Sequence, residues 1–220
     1  MSVEQNLIET ARSIASSVAP RGSEIEAARR LPPDVATLMG KAGFYRMFIV
    51  ERLGGLEVPP AVAAQVYEAL AEGDAECAWV AFIGATTGLA VSRLIDEAVA
   101  EILARSDALI TAVFAATGVA TKVEAGFRVN GQWQWGSGST NADWIGGGCV
   151  LLEDGRPLTN SAGLPRNHIL FFRAADVISL DTWHVSGLSG RSQVRQSVFL
   201  REHQRGLGGG AKRRARCVVP

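Results

Sequence analysis

The spacing of apolar residues changes once along this chain, near Leu109, and that change limits the folds open to it. Before Leu109 the apolar residues recur every three or four positions, which is the period of a helix with one buried face. After Leu109 come short runs rich in β-branched and aromatic residues, separated by turn-forming residues. The sequence therefore predicts an α+β fold, in which an N-terminal helical domain is followed by a small antiparallel β-barrel or sandwich domain.

Five helical segments are predicted in the first part, at about residues 3–19, 31 to 40 or 43, 59–71, 76–94 and 96–104. The second and third begin at prolines, which suit the first helical turn because their missing N–H would be unpaired there. The uncharged run from Cys77 to Ser92 is shorter than the roughly 18 residues that a membrane span needs, so we interpret it as a buried core helix. Between Phe44 and Val50 we expect a short extended piece.

Six short runs make up the predicted β domain, at residues 110–114, 122–129, 132–135, 144–152, 168–173 and 177–183. Asn130-Gly131 is typical of a hairpin turn, and Asp154-Gly155 marks a second turn. We place the helical domain at residues 1–108, an incomplete β domain at 109–190 and a basic tail at 191–220.

The net charge of zero hides an asymmetry between the tail and the rest of the chain. Residues 1–190 contain 14 Lys and Arg against 21 Asp and Glu, whereas residues 191–220 contain 8 basic residues against one acidic residue. The last stretch of the tail, Gly208–Arg216, has neither periodicity nor a core. We interpret the tail as disordered or translated out of frame; the alternatives are a genuine tail and, less favoured, a nucleic-acid or anionic-surface contact made by charge alone.

Short strings in both parts of the chain, over about residues 7 to 190, carry a family resemblance. Those of the helical part are Ala42–Arg46, Leu53–Glu57, Glu68–Ala71 and Ala78–Val80, and they resemble the N-terminal helical domain of the acyl-CoA dehydrogenase superfamily. Those of the β part are Phe127–Trp133, Trp135–Gly138, Ala142–Trp144 and Thr182–Leu188, and they resemble the middle domain of its two-component flavin-dependent hydroxylases. Each string alone is weak, but their order and distances together are fairly specific.

Two details favour the monooxygenase branch over the dehydrogenases. The dehydrogenases carry a Thr-Glu pair and a Gly-Ser-Asp where the chain enters the β domain, and Val113–Ala120 lacks both. Trp135–Gly138 is instead similar to the hydroxylase pattern of an aromatic residue before Ser-Gly. The resemblance implies a flavin-dependent oxidoreductase that hydroxylates an aromatic substrate with reduced flavin and oxygen. The alternatives are an acyl-CoA dehydrogenase and a catalytically inactive, truncated remnant or association module.

The resemblance also implies which residues meet the cofactor, FMN or FAD. The candidate cofactor-binding residues are Phe114, Ala115, Ala116, Trp135, Gly136 and Ser137. The tryptophan would flank the flavin ring, the serine would bond near N5, and the backbone of the first three would meet the pyrimidine end. The competing interpretation is that the tryptophans at 133 and 135 fill the core while the serine caps a turn. Strand alternation would place both tryptophans on one face, so a core position for that face would remove the flavin role from both.

No catalytic residue is identified from the sequence. In the hydroxylases the base that activates the phenol is usually a histidine from the helical domains, and residues 1–108 contain no histidine. His168 and His184 lie in the β part, and we interpret both as structural or exposed.

Neither a disulfide framework nor a metal site is predicted. The three cysteines are odd in number and widely spaced, at Cys77, Cys149 and Cys217. The triplet Gly146–Gly148 leads into strand-like residues, so we interpret it as a bulge or a site of close packing and not as a phosphate loop.

The family's third domain, a C-terminal bundle of four helices, has no counterpart in this sequence, which departs from the family pattern after Gly190. Since that domain forms much of the flavin and substrate pocket and the core of a tetramer, we expect exposed apolar surface, weak or absent flavin binding and impaired activity. The implied partners are a flavin reductase, a small aromatic substrate and, in the family, further copies of the chain. No membrane partner is expected, and the lack of a secretory signal predicts a cytoplasmic protein.

Overall fold

The computed structural model describes residues 2–94, 96–123, 126–181, 194–199 and 216–217. Six α-helices lie among these residues: α1 Val3–Val18, α2 Gly22–Ala28, α3 Pro33–Lys41, α4 Pro60–Gly73, α5 Ala75–Val91 and α6 Asp96–Ile102. Short 3-10 helices lie at Ala19–Arg21, Phe44–Arg46, Glu51–Leu53 and Ala174–Asp176. The five predicted helical segments are present. Helix α2 was not predicted, because it buries one apolar side chain, Ile25, and so has no apolar period.

Helix α1 illustrates why the helical predictions succeeded. Its first turn is closed by a capping box, in which Ser2 and Gln5 each accept a hydrogen bond from the other's backbone N–H. Its apolar stripe is buried at Leu7, Ala11, Ile14, Ala15 and Val18. This stripe packs against α4, so the period in the sequence corresponds to a real buried face.

The predicted extended piece between Phe44 and Val50 is wrong. Gly43 adopts a φ of +86°, and residues 44–46 then form a turn of 3-10 helix. Phe44 and Tyr45 are both buried in the helical core. Aromatic residues favour strands only where they pack on a sheet, and here packing against helices determines the local structure.

Helix α5 is apolar on every side, but the structure buries only part of it. Val80, Ala81 and Gly84 lie in or against the core, whereas Phe82 is 38% exposed and Leu89 is 52% exposed. The predicted core helix is present, and one of its faces, with Phe82 and Leu89, is exposed. A helix that is apolar all round normally has partners on all sides.

Eight strands lie among the described residues: β1 Ile110–Val123, β2 Gly126–Trp133, β3 Trp144–Glu153, β4 Arg156–Pro157, β5 Asn167–Arg173, β6 Ile178–Asp181, β7 Val194–Phe199 and β8 Arg216–Cys217. They form one sheet in the order β6-β7-β2-β1-β3-β5-β8, with β4 paired to β3. The α+β class is confirmed. Strands β1 and β3 pair in parallel and the other neighbours pair antiparallel, so the sheet is mixed.

One of the two predicted turns is in the wrong place. Asn130 and Gly131 lie inside β2, where they pair with β1 and β7, so they do not form a hairpin turn. The chain instead reverses between Val123 and Gly126, which pair with each other. The second predicted turn is confirmed, since Asp154 and Gly155 have φ values of +50° and +76°, as a two-residue hairpin requires.

Among the residues that the structure describes, helices and sheet share one of three clusters of buried side chains. This cluster combines Val91, Val99 and Ile102 from the helical part with Ile110, Trp144 and Phe171 from the sheet. Helix α6 ends at Ile102 and β1 begins at Ile110, on either side of the boundary expected near residue 108. The division into domains remains a prediction, because this cluster joins the two parts.

Two segments of the predicted tail are described, and both pair with the sheet. Val194–Phe199 pairs with β2 and β6, and Arg216–Cys217 pairs with β5. These two segments are therefore strands and not disordered as predicted. A strand can pair with a sheet through its backbone N–H and C=O groups, so it need not show an apolar pattern in the sequence. The rest of the tail, the Thr182–Leu188 string with His184, and the departure after Gly190 lie outside the described residues.

Among the helices described, none combines the length and apolar character needed to cross a membrane.

Candidate flavin site

The candidate residues Phe114, Ala115 and Ala116 lie in an irregular part of β1. Strand β1 pairs with β3 on both sides of residues 114–117, and the register shifts between Val113 and Gly118. The carbonyl oxygens of Phe114 and Ala115 come so close to Gly148 that a Cβ there would lie 2.5 and 2.6 Å from them. Gly148 therefore allows this bulge to rest on β3, while the Phe114 side chain is 57% exposed.

Trp133 and Trp135 do not share a face, so the predicted alternation is wrong. Trp133 is fully buried and Trp135 is 69% exposed. Strand β2 ends at Trp133, and Trp135 has a φ of +68°, in the left-handed region. The core interpretation is correct for Trp133 alone, and Trp135 is free to contact a ligand.

Three glycines make room for the buried tryptophan. A Cβ at Gly118, Gly131 or Gly147 would lie 2.4, 2.6 or 2.5 Å from an atom of the Trp133 ring. The indole N–H of Trp133 donates to the carbonyl of Gly148 at 2.7 Å. The predicted close packing at Gly146–Gly148 is confirmed, and it fixes the end of β2 against β3.

The segments 114–116 and 135–137 face each other, because the residues that flank them are in contact. On one side the hydroxyl of Thr117 donates to the carbonyl of Gln132 at 3.0 Å. On the other side Gly138 packs on Thr111, since a Cβ at Gly138 would lie 3.3 Å from Thr111 Cγ2. These flanking contacts place the two candidate segments beside each other where β2 ends next to β1.

Ser137, in the second candidate segment, is buried and 8% exposed. Its N–H donates to the carbonyl of Trp135 at 3.0 Å, which ties the serine to the tryptophan. The loop that follows ends at Asp143, whose carboxylate accepts from the N–H of Leu109 at 3.0 Å and from the Arg105 guanidinium at 2.6 Å. The negative charge of Asp143 is the main cause of the raised pKa of Arg105.

His168 is a core residue, as the structural interpretation predicted. It is 4% exposed on β5, directly across from Cys149 on β3. Its Nδ1 has no hydrogen-bond partner among the described residues, and burial lowers the pKa of the imidazole. In the part of the chain that the structure describes, no three His, Cys, Asp or Glu side chains lie close enough together to hold a metal ion.

Sequence reasoning missed Thr117 and Asn141. The Asn141 amide donates to the carbonyl of Leu31 in the helical part at 2.9 Å. Neither contact leaves a signal in the sequence, because each joins a side chain to a distant backbone carbonyl. Every residue has a backbone carbonyl, so the acceptor cannot be recognised from the residue types in the sequence.

Three kinds of comparison relate this chain to known proteins. The model of the acyl-CoA dehydrogenase N-terminal domain family matches residues 2–101. The flavin-dependent monooxygenase oxygenase subunit HsaA of Rhodococcus jostii is 29% identical over 189 residues, which are 84% of this chain and 47% of that protein. Indole-3-acetate monooxygenase of Pseudomonas putida is 31% identical over 162 residues, which are 73% of this chain and 41% of that protein. The crystal structure of the HsaA monooxygenase from M. tuberculosis superposes with a TM-score of 0.76 at 25% identity, covering 89% of this chain and 49% of that one.

The helical part of this chain matches the acyl-CoA dehydrogenase N-terminal domain family, and most of the chain is similar to flavin-dependent monooxygenases. It spans about half the length of the curated relatives that it matches. The helical domain, the sheet and the order of the two are common to this chain and to the HsaA structure.

Proposed function

We propose that this chain forms one wall of the flavin slot of a monooxygenase, which hydroxylates a small aromatic substrate with reduced flavin and oxygen. The observation that carries the proposal is Trp135, a large aromatic side chain that is 69% exposed on a left-handed backbone. A left-handed conformation costs a residue with a Cβ about 1–2 kcal/mol. Strain of this kind is kept where the surrounding structure imposes it, often at ligand sites.

The chemistry of the candidate residues fits a flat, partly apolar ring. Phe114 and Trp135 offer two exposed aromatic side chains on segments that face each other. The same two segments also contain polar groups, namely the Ser137 hydroxyl and the backbone of residues 114–116. When bound, the flavin supplies the redox chemistry, while these residues orient it and keep water from one side of it.

The finer assignments follow the relatives. Their names as oxygenase subunits support a separate flavin reductase as the partner, and the names of the aromatic hydroxylases support an aromatic substrate. An FADH(2)-dependent relative, resorcinol hydroxylase of Rhizobium, favours FAD over FMN. We assign no general base, since His168 is buried in the sheet core.

Titration of the chain with flavin tests the slot. We expect weak, saturable binding that quenches tryptophan fluorescence. Trp135→Leu removes an aromatic contact worth about 0.5–1.5 kcal/mol and should weaken binding by about 2- to 10-fold. Phe82→Leu, which changes an exposed aromatic residue on α5, is the matched control and should have no effect. No saturable binding, or equal weakening by both variants, would contradict the proposal.

A second measurement separates the proposed reaction from the dehydrogenase alternative. A monooxygenase forms hydroxylated product from a phenol only when reduced flavin and oxygen are both supplied. A dehydrogenase instead reduces bound flavin with an acyl-CoA thioester in the absence of oxygen. Thioester-dependent flavin reduction without phenol hydroxylation would favour the dehydrogenase.

A second candidate function is association with another polypeptide through the helical part. The exposed apolar side chains of α5, Phe82 and Leu89, favour it. Leu89→Glu should lower the apparent mass in light scattering if this face holds copies together. Val3→Glu changes an equally apolar, exposed position on α1 and should leave the mass unchanged. Equal masses for all three proteins would count against association through α5.

A further inference from the structure

We infer that Asn141 is a positioning residue, which holds the Trp135–Ser137 segment in place by tethering its loop to the helical part of the chain. The inference rests on the proposed flavin slot. Its central observation is the hydrogen bond from the Asn141 amide to the Leu31 carbonyl, which is 2.9 Å long and joins residues 110 positions apart. This bond connects the candidate site to a different part of the fold.

The acceptor end of the tether is rigid. Leu31 is fully buried, and Pro32 and Pro33 follow it at the start of α3. Proline rings fix the backbone φ, so the chain has little freedom just after the Leu31 carbonyl. A loop bonded to this carbonyl takes its position from the helical core.

The donor end is coupled to the site through a series of short turns. The N–H of Ser139 donates to Gly136 at 3.2 Å, that of Asn141 donates to Gly138 at 3.1 Å, and that of Ala142 donates to Ser139 at 3.3 Å. Residues 134–143 belong to no strand, so no ladder of the sheet holds them. A shift of Asn141 would therefore be passed through these turns to Ser137 and Trp135.

Packing alone does not fix the loop as a directional bond does. Gly138 faces Val80 of α5, where a Cβ would lie 3.8 Å from the valine methyl groups, and Ala142 packs against the helical core. These contacts hold the loop near the helices but tolerate small sliding, because dispersion contacts have little directional preference. The hydrogen bonds of Asp143 fix the far end of the loop. The Asn141 amide adds a directional bond nearer to the strained Trp135, which needs a fixed support.

The test compares Asn141→Asp with Asn130→Asp. The first variant keeps the shape of the side chain but turns a carboxylate toward the Leu31 carbonyl, so the hydrogen bond is replaced by repulsion. The second adds the same charge at an exposed position on β2. Two properties are measured on each variant and on the parent chain: amide hydrogen exchange of residues 136–142, and flavin affinity by fluorescence titration.

We expect Asn141→Asp to speed exchange in residues 136–142 by at least about tenfold and to weaken flavin binding by about 2- to 10-fold, the range for one lost neutral hydrogen bond. Asn130→Asp should change neither. Unchanged exchange in Asn141→Asp overturns the tether. Faster exchange with unchanged flavin affinity overturns the positioning role.

A parent chain that binds no flavin contradicts the proposed function and not the tether, which is then judged by amide exchange alone. The tether predicts faster exchange of residues 136–142 in Asn141→Asp but not in Asn130→Asp; equal exchange rates in the two variants would overturn it.

Discussion

Two tryptophans separated by one residue have opposite surroundings in this molecule. Trp133 is fully buried, with three glycines against its ring and a carbonyl accepting its indole N–H. Trp135 is 69% exposed, on a backbone that has left the strand. The side chain of Trp133 is packed in the core, whereas Trp135 is held in an unfavourable backbone conformation with its side chain exposed to solvent. The comparison teaches that residue type alone does not assign a tryptophan to core or site.

The largest expected difference between the two regions is in stability. Trp133→Ala should lower the free energy of unfolding by about 3–5 kcal/mol, because it leaves a cavity among residues that cannot collapse. Trp135→Ala should change it by no more than about 0.5 kcal/mol, since the side chain is exposed. Urea denaturation of both variants measures the difference. Similar losses in the free energy of unfolding of the two variants would contradict the difference in burial between Trp133 and Trp135.

A smaller effect is expected from filling the space around Trp133. Gly147→Ala places a methyl group 2.5 Å from the ring and should cost about 1–3 kcal/mol. In a Trp133→Phe background the ring is smaller, so the same change should cost less, and the two substitutions should not be additive. Ala115→Val adds methyl groups at the exposed bulge and serves as the control, with an expected change within about 0.5 kcal/mol. If the two changes in the free energy of unfolding simply add in the double variant, Gly147 is not needed to make room for the Trp133 ring.

The helices and most strands could be predicted because their signals are local. The apolar stripe of α1 and the prolines before α3 and α4 each act within one element. The prediction errors arise where contacts with residues distant in the sequence determine the local backbone conformation. Asn130-Gly131 has the residues of a turn, but pairing with β1 and β7 keeps it extended.

The candidate site was predictable only through resemblance. Strand alternation placed Trp135 beside Trp133, and nothing in the sequence reveals the left-handed φ that separates them. The contacts that bring the two site segments together, from Thr117 to Gln132 and from Gly138 to Thr111, join residues that are far apart in the chain. Whether the six residues bind flavin remains a proposal.

A third prediction concerns the strain at Trp135 itself. Glycine adopts a positive φ without strain, so Trp135→Gly relieves the strain at this position. Glycine also raises the entropy of the unfolded chain, which offsets part of this gain. The free energy of unfolding should therefore stay the same or rise by up to about 1 kcal/mol. Trp135→Val should be less stable than Trp135→Gly by about 1–2 kcal/mol, because a β-branched residue tolerates this region poorly. Thermal unfolding compares the variants.

Gln134 supplies the control for this prediction. It is exposed next to Trp135 and is not among the residues with positive φ, so glycine should be the less stable substitution there. The same preference for glycine or for valine at both positions would contradict a left-handed Trp135.

The smallest expected effect is a pH dependence on the Trp133 side of the sheet. Burial lowers the pKa of His168 below its usual value of 6.5, so the unfolded chain takes up this proton at a higher pH than the folded chain. Stability contributed by the neutral imidazole is therefore present above pH 6.5 and is lost as the pH falls below it. His168→Leu removes the titrating group, so its free energy of unfolding should fall less between pH 7.5 and pH 5.5 than that of the parent. All other groups titrate in both proteins and cancel in the comparison. Equal pH slopes would mean that His168 is protonated as easily in the folded chain as in the unfolded one. Water would then reach the core around Trp133, and the contrast between this core and the exposed Trp135 would be smaller than the structure indicates.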